Sequence, residues 1–456
     1  MISALAAVMS RFVERWLPSP LLFAIVLGFV MFVWGMCLGN TPLEMVNIWG
    51  GGFWGLLAFT MQMAMIIVSG CALASSAPCR KLLASIASVP KSNSSAVFTV
   101  TLCATIACSL NWGFGLVVGA ILAREVARQN PKYDYGLLIA AGYIGFMVWG
   151  AGFSGSMPLL AATPGNPMAA KIAALFPEAL PDGTIPIQHT LLATYNIFLV
   201  VAMIVVLPLI TARMLPKTPR GIDPSLLEND QSSFNIDVPK DAVPAVKLEE
   251  SKMVTWLVSL IGLAYLANYF YTKGFNININ VMNYIFVVVG MILHKTPMAY
   301  MRAVEAATRN TAGVVMQFPF YAAIAAMMEK SGVGAQITEW FVAISTPETF
   351  PVFTWICSGI INFVVPSGGG HWVVQGPFAI DAAAEIIKAN NLPVAEYMGR
   401  MTMGIAYGDM WTNMAQPFWA LPALAIAGLG VRDIMGYCIT AMLFGAPIFF
   451  IALFFF

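Results

Sequence analysis

Charge is what this sequence of 456 residues has least of: Asp, Glu, Lys and Arg together make 10%, while hydrophobic residues make 59%. An average soluble domain is about one quarter charged, so this chain lacks the polar surface to remain in water. That shortage excludes a soluble enzyme, a disordered chain and a coiled coil. A basic excess is also missing, since 23 Lys and Arg stand against 22 Asp and Glu. Nucleic acid therefore finds no electrostatic footprint. The seven cysteines include no CxxC pair, which removes a zinc site and a disulfide framework and leaves them as small apolar residues. The short alternating segments of a transmembrane β-barrel are absent too.

The few charges are also unevenly placed. None falls in 16–43, 53–79, 92–123, 135–170, 183–212, 253–272, 274–294, 310–328, 349–380, 410–431 or 434–456. Crossing a hydrocarbon core takes about 20 apolar residues, so the chain reads as an all-α polytopic membrane protein. The first 15 residues carry Arg11, Glu14 and Arg15 and no small-residue cleavage site. They read as an interfacial lead-in rather than a cleaved signal peptide.

Four apolar stretches are interrupted. Segment 92–123 has Asn111-Trp112-Gly113-Phe114-Gly115 at its centre, and 349–380 has Asn362 followed by Pro366-Ser367-Gly368-Gly369-Gly370-His371. A lipid-facing helix centre cannot hold such patches, because the freed backbone groups would lack partners. The expectation is two re-entrant hairpins, about 92–127 and 349–382, with tips near the bilayer midplane. Two broken helices are expected at about 135–165, interrupted at Ser154-Gly155-Ser156-Met157-Pro158, and at about 400–430, interrupted from Asp409 to Pro417. Plain spans are expected near 19–38, 53–76, 190–211, 253–271, 279–293, 310–329 and 433–456, giving about nine crossings plus the hairpins.

Loop charge tests that layout. With a cytoplasmic N-terminus, 18 Lys and Arg fall inside and five outside, the full 23, as the positive-inside rule requires. The C-terminus is then periplasmic. An internal repeat agrees: Thr41-Pro42 returns as Thr296-Pro297 and Met61-Gln62 as Met316-Gln317, both 255 residues on, and Asn111-Trp112 as Asn362-Phe363, 251 residues on. Residues 1–212 and 273–456 read as two inverted repeats, joined by a cytoplasmic linker at 213–252 and a connecting helix at 253–272. Inverted repeats with discontinuous helices are the signature of secondary transporters.

The breaks carry the chemistry. The second arm of a hairpin and the second half of a broken helix each start at the break, where free N–H groups and a positive dipole end favour a small anion. Pro158 and Pro417 suit such starts. No Lys or Arg interrupts these segments, which suits a monovalent carboxylate better than a di- or tricarboxylate. Candidate substrate-binding residues are Asn111, Trp112, Gly113, Ser154, Ser156, Asn362, Ser367, Gly368, Gly369, His371, Thr412 and Asn413. The asparagines also fit plain helix caps, and the hydroxyls also fit satisfaction of broken backbone. Asp409, an acid inside a span, marks an ion or proton path, with His371 as a second proton carrier; a cap or ion pair is the structural alternative. Trp112, Trp372, Trp411 and Trp419 flank the breaks and suit either an apolar pocket or core packing. Gln62 and Gln317 suit helix bridging.

Taken together, Asn111-Trp112-Gly113-Phe114-Gly115, Phe153-Ser154-Gly155-Ser156-Met157-Pro158, Thr163-Pro164-Gly165-Asn166-Pro167, Val365-Pro366-Ser367-Gly368-Gly369-Gly370-His371-Trp372 and Asn413-Met414-Ala415-Gln416-Pro417-Phe418-Trp419 resemble the short-chain fatty acid transporter (AtoE-type) family. The resemblance runs nearly end to end, weakest in 213–252 and around 383–400. It implies membership of the ion-transporter superfamily of elevator-type carriers, import of monocarboxylates such as butyrate or acetoacetate across the bacterial inner membrane, and a homodimer. Superfamily relatives place sodium with a Ser-Asn-Thr motif, whereas here Asn111 lies between Leu110 and Trp112. The coupling ion thus stays open between proton and sodium, the latter near Asn111, Asn362 and Asp409; no other cofactor is expected. Burying a carboxylate needs compensation, and a co-bound cation supplies it, which favours symport by alternating access over the alternatives, an anion channel or a uniporter. An intramembrane enzyme built on Ser367 and His371 lacks a nucleophile elbow or metal pair.

Overall fold

Backbone inside hydrocarbon has no water to bond, so an uncharged span must satisfy its own N–H and C=O groups, as a helix does. The computed structural model describes residues 20–216, 218–227, 239, 241–275, 277–363, 368–416 and 419–456, and every regular element among them is helical. By length and composition, six helices can cross a bilayer: Leu57–Ala74, Asn93–Leu110, Tyr135–Ala161 with its interruption, Thr194–Ala212, Pro244–Lys273 and Val431–Phe455. Ala24–Cys37, Ile279–His294 and Phe350–Asn362 are apolar but shorter. The stretch read as a span at 310–329 is the helix Ala312–Lys330, with Pro319 inside it.

Elements absent from the sequence reading fill the joints: Pro42–Gly52, Ala77–Ala87, Pro297–Thr308 and Val333–Ile344. Two of them explain the Thr-Pro repeat. Thr41 caps Pro42–Gly52, accepting from the Glu44 N–H at 3.3 Å, and Thr296 caps Pro297–Thr308, accepting from the Ala299 N–H at 3.2 Å. Threonine at the cap with proline at the first helical position is a local helix start.

The two stretches expected to form hairpins are packed helix pairs, and the first arm of the first pair, Asn93–Leu110, is by itself long and apolar enough to cross a bilayer. Asn93–Leu110 and Trp112–Gln129 are separated by Asn111 alone and pack on each other. A Cβ on Gly115 would collide with Cys108, so glycine sets how closely the arms approach. The second pair is Phe350–Asn362 and Gly368–Asn390, whose long arm runs eight residues past the expected boundary at 382. The first interrupted helix runs Tyr135–Ile144, tightens into a 3-10 stretch at Gly145–Ala151, and restarts at Ser156–Ala161. The second runs Val394–Thr412 and restarts at Ala420–Ala427.

The packing is reciprocal between the halves. Pro42–Gly52 packs on Ala312–Lys330, and Pro297–Thr308 packs on Leu57–Ala74. Trp112–Gln129 touches Ala420–Ala427, and Gly368–Asn390 touches Ser156–Ala161. Each hairpin thus meets the restarted half-helix of the opposite half. Where Trp112–Gln129 crosses Tyr135–Ile144, a Cβ on Gly119 would lie 2.6 Å from the Gly142 carbonyl and one on Gly142 2.7 Å from the Gly119 carbonyl. Only glycine at both positions allows this backbone contact.

The linker is anchored at both ends. Asp134 caps Tyr135–Ile144 through the Leu137 N–H at 2.8 Å and accepts from the Arg220 N–H at 2.9 Å. The Arg128 guanidinium donates to the Leu227 carbonyl at 2.7 Å. At the far end, Glu250 accepts from Thr296 at 2.6 Å and from Arg302 at 2.8 Å.

Candidate functional site

The hairpin tips and breaks come together around one small cavity. It holds about 10 Å³ and is lined by Met63, Trp112, Phe146, Trp149, Ser156, Phe318, Gly368 and Trp419. Trp112 starts the second arm of the first hairpin, Ser156 starts the restarted half-helix, and Gly368 starts the second arm of the other hairpin. Trp419 sits just before Ala420–Ala427. All four interruptions therefore contribute to one wall.

At the first tip, Asn111 is 1% exposed and acts as a helix cap, its Oδ1 accepting from the Phe114 N–H at 2.9 Å. The Trp112 N–H donates to Ser154 Oγ at 2.9 Å, which ties the tip to the first break. Gly113 lies against the backbone of Ile66 and Ile67, where a Cβ would come within 3.2 Å of the Ile66 carbonyl. Asn111, Gly113 and Ser154 thus hold the tip in place, whereas Trp112 and Ser156 reach the cavity.

The second tip is more polar. Asn362 Nδ2 donates to the Asp409 carbonyl and to Thr412 Oγ1, each at 2.9 Å, and its Oδ1 has no hydrogen-bond partner among the described residues. Ser156 Oγ and both carboxylate oxygens of Asp409 are likewise buried without one. Gly368 joins these groups: a Cβ there would collide with Trp149 and Ser156 and lie 3.2 Å from Asp409 Oδ2. The neighbouring glycines press on aromatic rings, Gly369 on Phe59 and Gly370 on Tyr321. Three successive residues without side chains let the start of this arm lie close against that surface. Ser367 lies outside the described residues, as does Pro417.

His371 does not line the cavity; it stands beside it, fully buried. Its Nε2 is 2.7 Å from Gln375 Oε1 and 3.1 Å from Ser358 Oγ. The Ser358 hydroxyl donates to the Ile405 carbonyl at 2.6 Å. Gln375 Oε1 can only accept, so Nε2 carries the hydrogen. The other ring nitrogen, Nδ1, then faces Asp409 Oδ1 at 3.6 Å. In a neutral imidazole this turns a lone pair toward a carboxylate oxygen.

Asn413 links the two breaks. Its Oδ1 accepts from Trp149 Nε1 at 3.1 Å, and its carbonyl accepts from the Tyr143 hydroxyl at 2.9 Å. Trp149 stacks on Phe146 with centroids 5.5 Å apart. Of the tryptophans singled out in the sequence, Trp112 and Trp419 line the cavity. Trp372 is buried elsewhere, and Trp411 donates to the Met442 carbonyl at 2.8 Å, on the last helix. Gln62 bridges helices, donating to Asn280 Oδ1 at 2.9 Å. Sequence reasoning misses Trp149, Phe146, Met63 and Phe318. Met63 and Phe318 directly follow the two Met-Gln pairs, and the 255-residue offset carries one onto the other; the repeat held that signal.

Comparison with known proteins agrees with this architecture. The family model described as short chain fatty acid transporter matches residues 1–456. A provisionally named short-chain fatty acid transporter of Escherichia coli K12 is 56% identical over 456 residues, 99% of each chain. One of Haemophilus influenzae Rd is 53% identical over 459 residues, covering all of both chains. The crystal structure of the Alcanivorax borkumensis YdaH transporter, described as having an unusual topology, superposes with a TM-score of 0.54 at 16% identity. The match covers 95% of this chain and 98% of that one. At that identity the likeness concerns the fold. This multi-pass membrane protein belongs to the short-chain fatty acid transporter family.

Proposed function

We propose that the chain imports short-chain monocarboxylates, of the size of butyrate or acetoacetate, together with a proton or sodium ion by alternating access. The supporting observation is the shared cavity: residues of both helix pairs and both helix breaks line it, its lining is aromatic and apolar, and Asp409 lies close behind Gly368. A carboxylate head fits beside Ser156 and Gly368, where the Ser156 hydroxyl has no hydrogen-bond partner among the described residues. An acyl chain fits against Trp112, Trp149 and Trp419.

The coupled cation is assigned to Asp409. Its two unbonded oxygens, the Asn362 Oδ1 and the Nδ1 of His371 give a buried, electron-rich cluster. A substrate carboxylate approaching this cluster meets repulsion unless a positive charge arrives with it. Coupling follows from that electrostatic requirement. A cavity of about 10 Å³, no larger than a single water, favours a carrier that opens to one side at a time over a standing pore.

The reciprocal contacts between the halves support inverted repeats at 1–212 and 273–456, with re-entrant hairpins and interrupted helices moving as one body against the remaining helices. The loop charges support a cytoplasmic N-terminus and a periplasmic C-terminus in the bacterial inner membrane. Uptake into proteoliposomes tests this reading, with acids of increasing length under imposed proton or sodium gradients. Gradient-dependent accumulation is expected. Conduction far above carrier turnover without gradient dependence would replace it with a channel.

A further inference from the structure

The cavity has walls of two kinds. Trp112, Phe146, Trp149 and Trp419 interlock: Trp112 lies edge-on to Trp149 at 6.0 Å and to Trp419 at 5.1 Å, and Phe146 is stacked on Trp149. Trp149 is further held by Asn413, and the Trp112 backbone by Ser154. The remaining apolar lining is Met63 and Phe318, each contributed by one of the two helices that follow the Thr-Pro caps, at matching places in the repeat. Neither makes a polar contact. Phe318 stacks on Phe59 with centroids 5.5 Å apart and planes 18° apart. Met63 is a flexible thioether that adapts to irregular space.

We propose, on the basis of the transport reading above, that Met63 and Phe318 form the end of an acyl-chain subsite and set the longest monocarboxylate the carrier accepts. The cavity is far smaller than a butyrate chain, so a bound acid displaces a wall. The aromatic side is tied by two hydrogen bonds and ring packing. Met63 is the wall that yields, and a rigid ring braced by Phe59 is the wall that does not. Short chains are accommodated by rearranging Met63, and longer ones meet Phe318.

The experiment is competition of unlabelled C2 to C8 monocarboxylates against labelled butyrate, in proteoliposomes of wild type, Phe318→Ala, Phe318→Leu and Met63→Ile. Each methylene newly buried in an apolar site is worth about fourfold in affinity. Phe318→Ala is therefore expected to improve hexanoate relative to butyrate by up to about 15-fold, two methylenes at that rate. Phe318→Leu should give a smaller shift in the same direction. Met63→Ile, stiff at χ1, should weaken butyrate more than acetate. An unchanged order of acids in both Phe318 variants, with butyrate uptake intact, overturns the proposal. Where Phe318→Ala fails to purify as a single species, Phe318→Leu and Met63→Ile decide the matter alone. A wild-type protein that takes up no monocarboxylate at all refutes the transport reading instead, and is distinguished by that.

Discussion

Replacing Asp409 with asparagine separates stability from coupling. The side chain is fully buried, neither carboxylate oxygen has a close hydrogen-bond partner among the described residues, and His371 Nδ1 lies 3.6 Å away. A buried acceptor without a partner costs about 1–3 kcal/mol, and more if it is charged. Asparagine has nearly the same shape and removes the charge. Stability should therefore stay unchanged or rise by up to about 3 kcal/mol, the size of the penalty relieved. Removal of an ordinary buried charge partner would instead cost about 3–5 kcal/mol. Gradient-driven accumulation of butyrate should be lost, because the neutral amide cannot take up and release a proton or balance a sodium ion. Exchange of butyrate across the membrane in the absence of a gradient should persist in part. Thermal unfolding in detergent measures the first effect, and proteoliposome uptake and counterflow measure the second. A variant that is destabilised by several kcal/mol yet keeps wild-type ion dependence would refute the reasoning and make Asp409 a structural residue.

Other perturbations test neighbouring parts of the site. Asn111→Ala removes a helix cap worth about 0.5–2 kcal/mol, and Asn362→Ala removes two buried hydrogen bonds at about 1 kcal/mol each. Both should lower butyrate uptake by more than the fraction of folded protein lost, and full uptake with unchanged affinity in both variants would contradict convergent tips. Gly369→Ala drives a methyl into the Phe59 ring, and overpacking of this kind costs about 1–3 kcal/mol. That cost is read as a loss of uptake, which Phe59→Ala is expected to restore in part. Single reporter cysteines in a Cys-free background should label from the cytoplasm near residue 230 and from outside near residue 340; the reverse pattern would invert the proposed orientation.

How much was legible in the sequence differs between fold and site. Charge-free runs located the long helices to within a few residues, as Thr194–Ala212 and Leu57–Ala74 illustrate, because hydrophobicity along the chain is a local property. The interruptions at Asn111 and Asn413 were legible for the same reason: Gly, Asn and Pro betray a break wherever they fall. The short helices Ala77–Ala87 and Val333–Ile344 were not, since they are neither long nor uniformly apolar.

The sequence by itself determined that this is a helical multi-pass membrane protein, and it named most of the polar groups at the breaks. Only the tertiary structure decided which of these groups face one another. Asn111 turned out to be a cap with its acceptor already used, while Ser156 and Asp409, beside Gly368, have no close hydrogen-bond partner for theirs among the described residues. It also drew Met63, Phe146, Trp149 and Phe318 into the cavity wall from unremarkable apolar stretches. The physical reason is that hydrogen bonding and cavity shape are set by neighbours distant in sequence. Apolar residues in a span all carry the same local signal, whether they face lipid, a packed helix or a substrate.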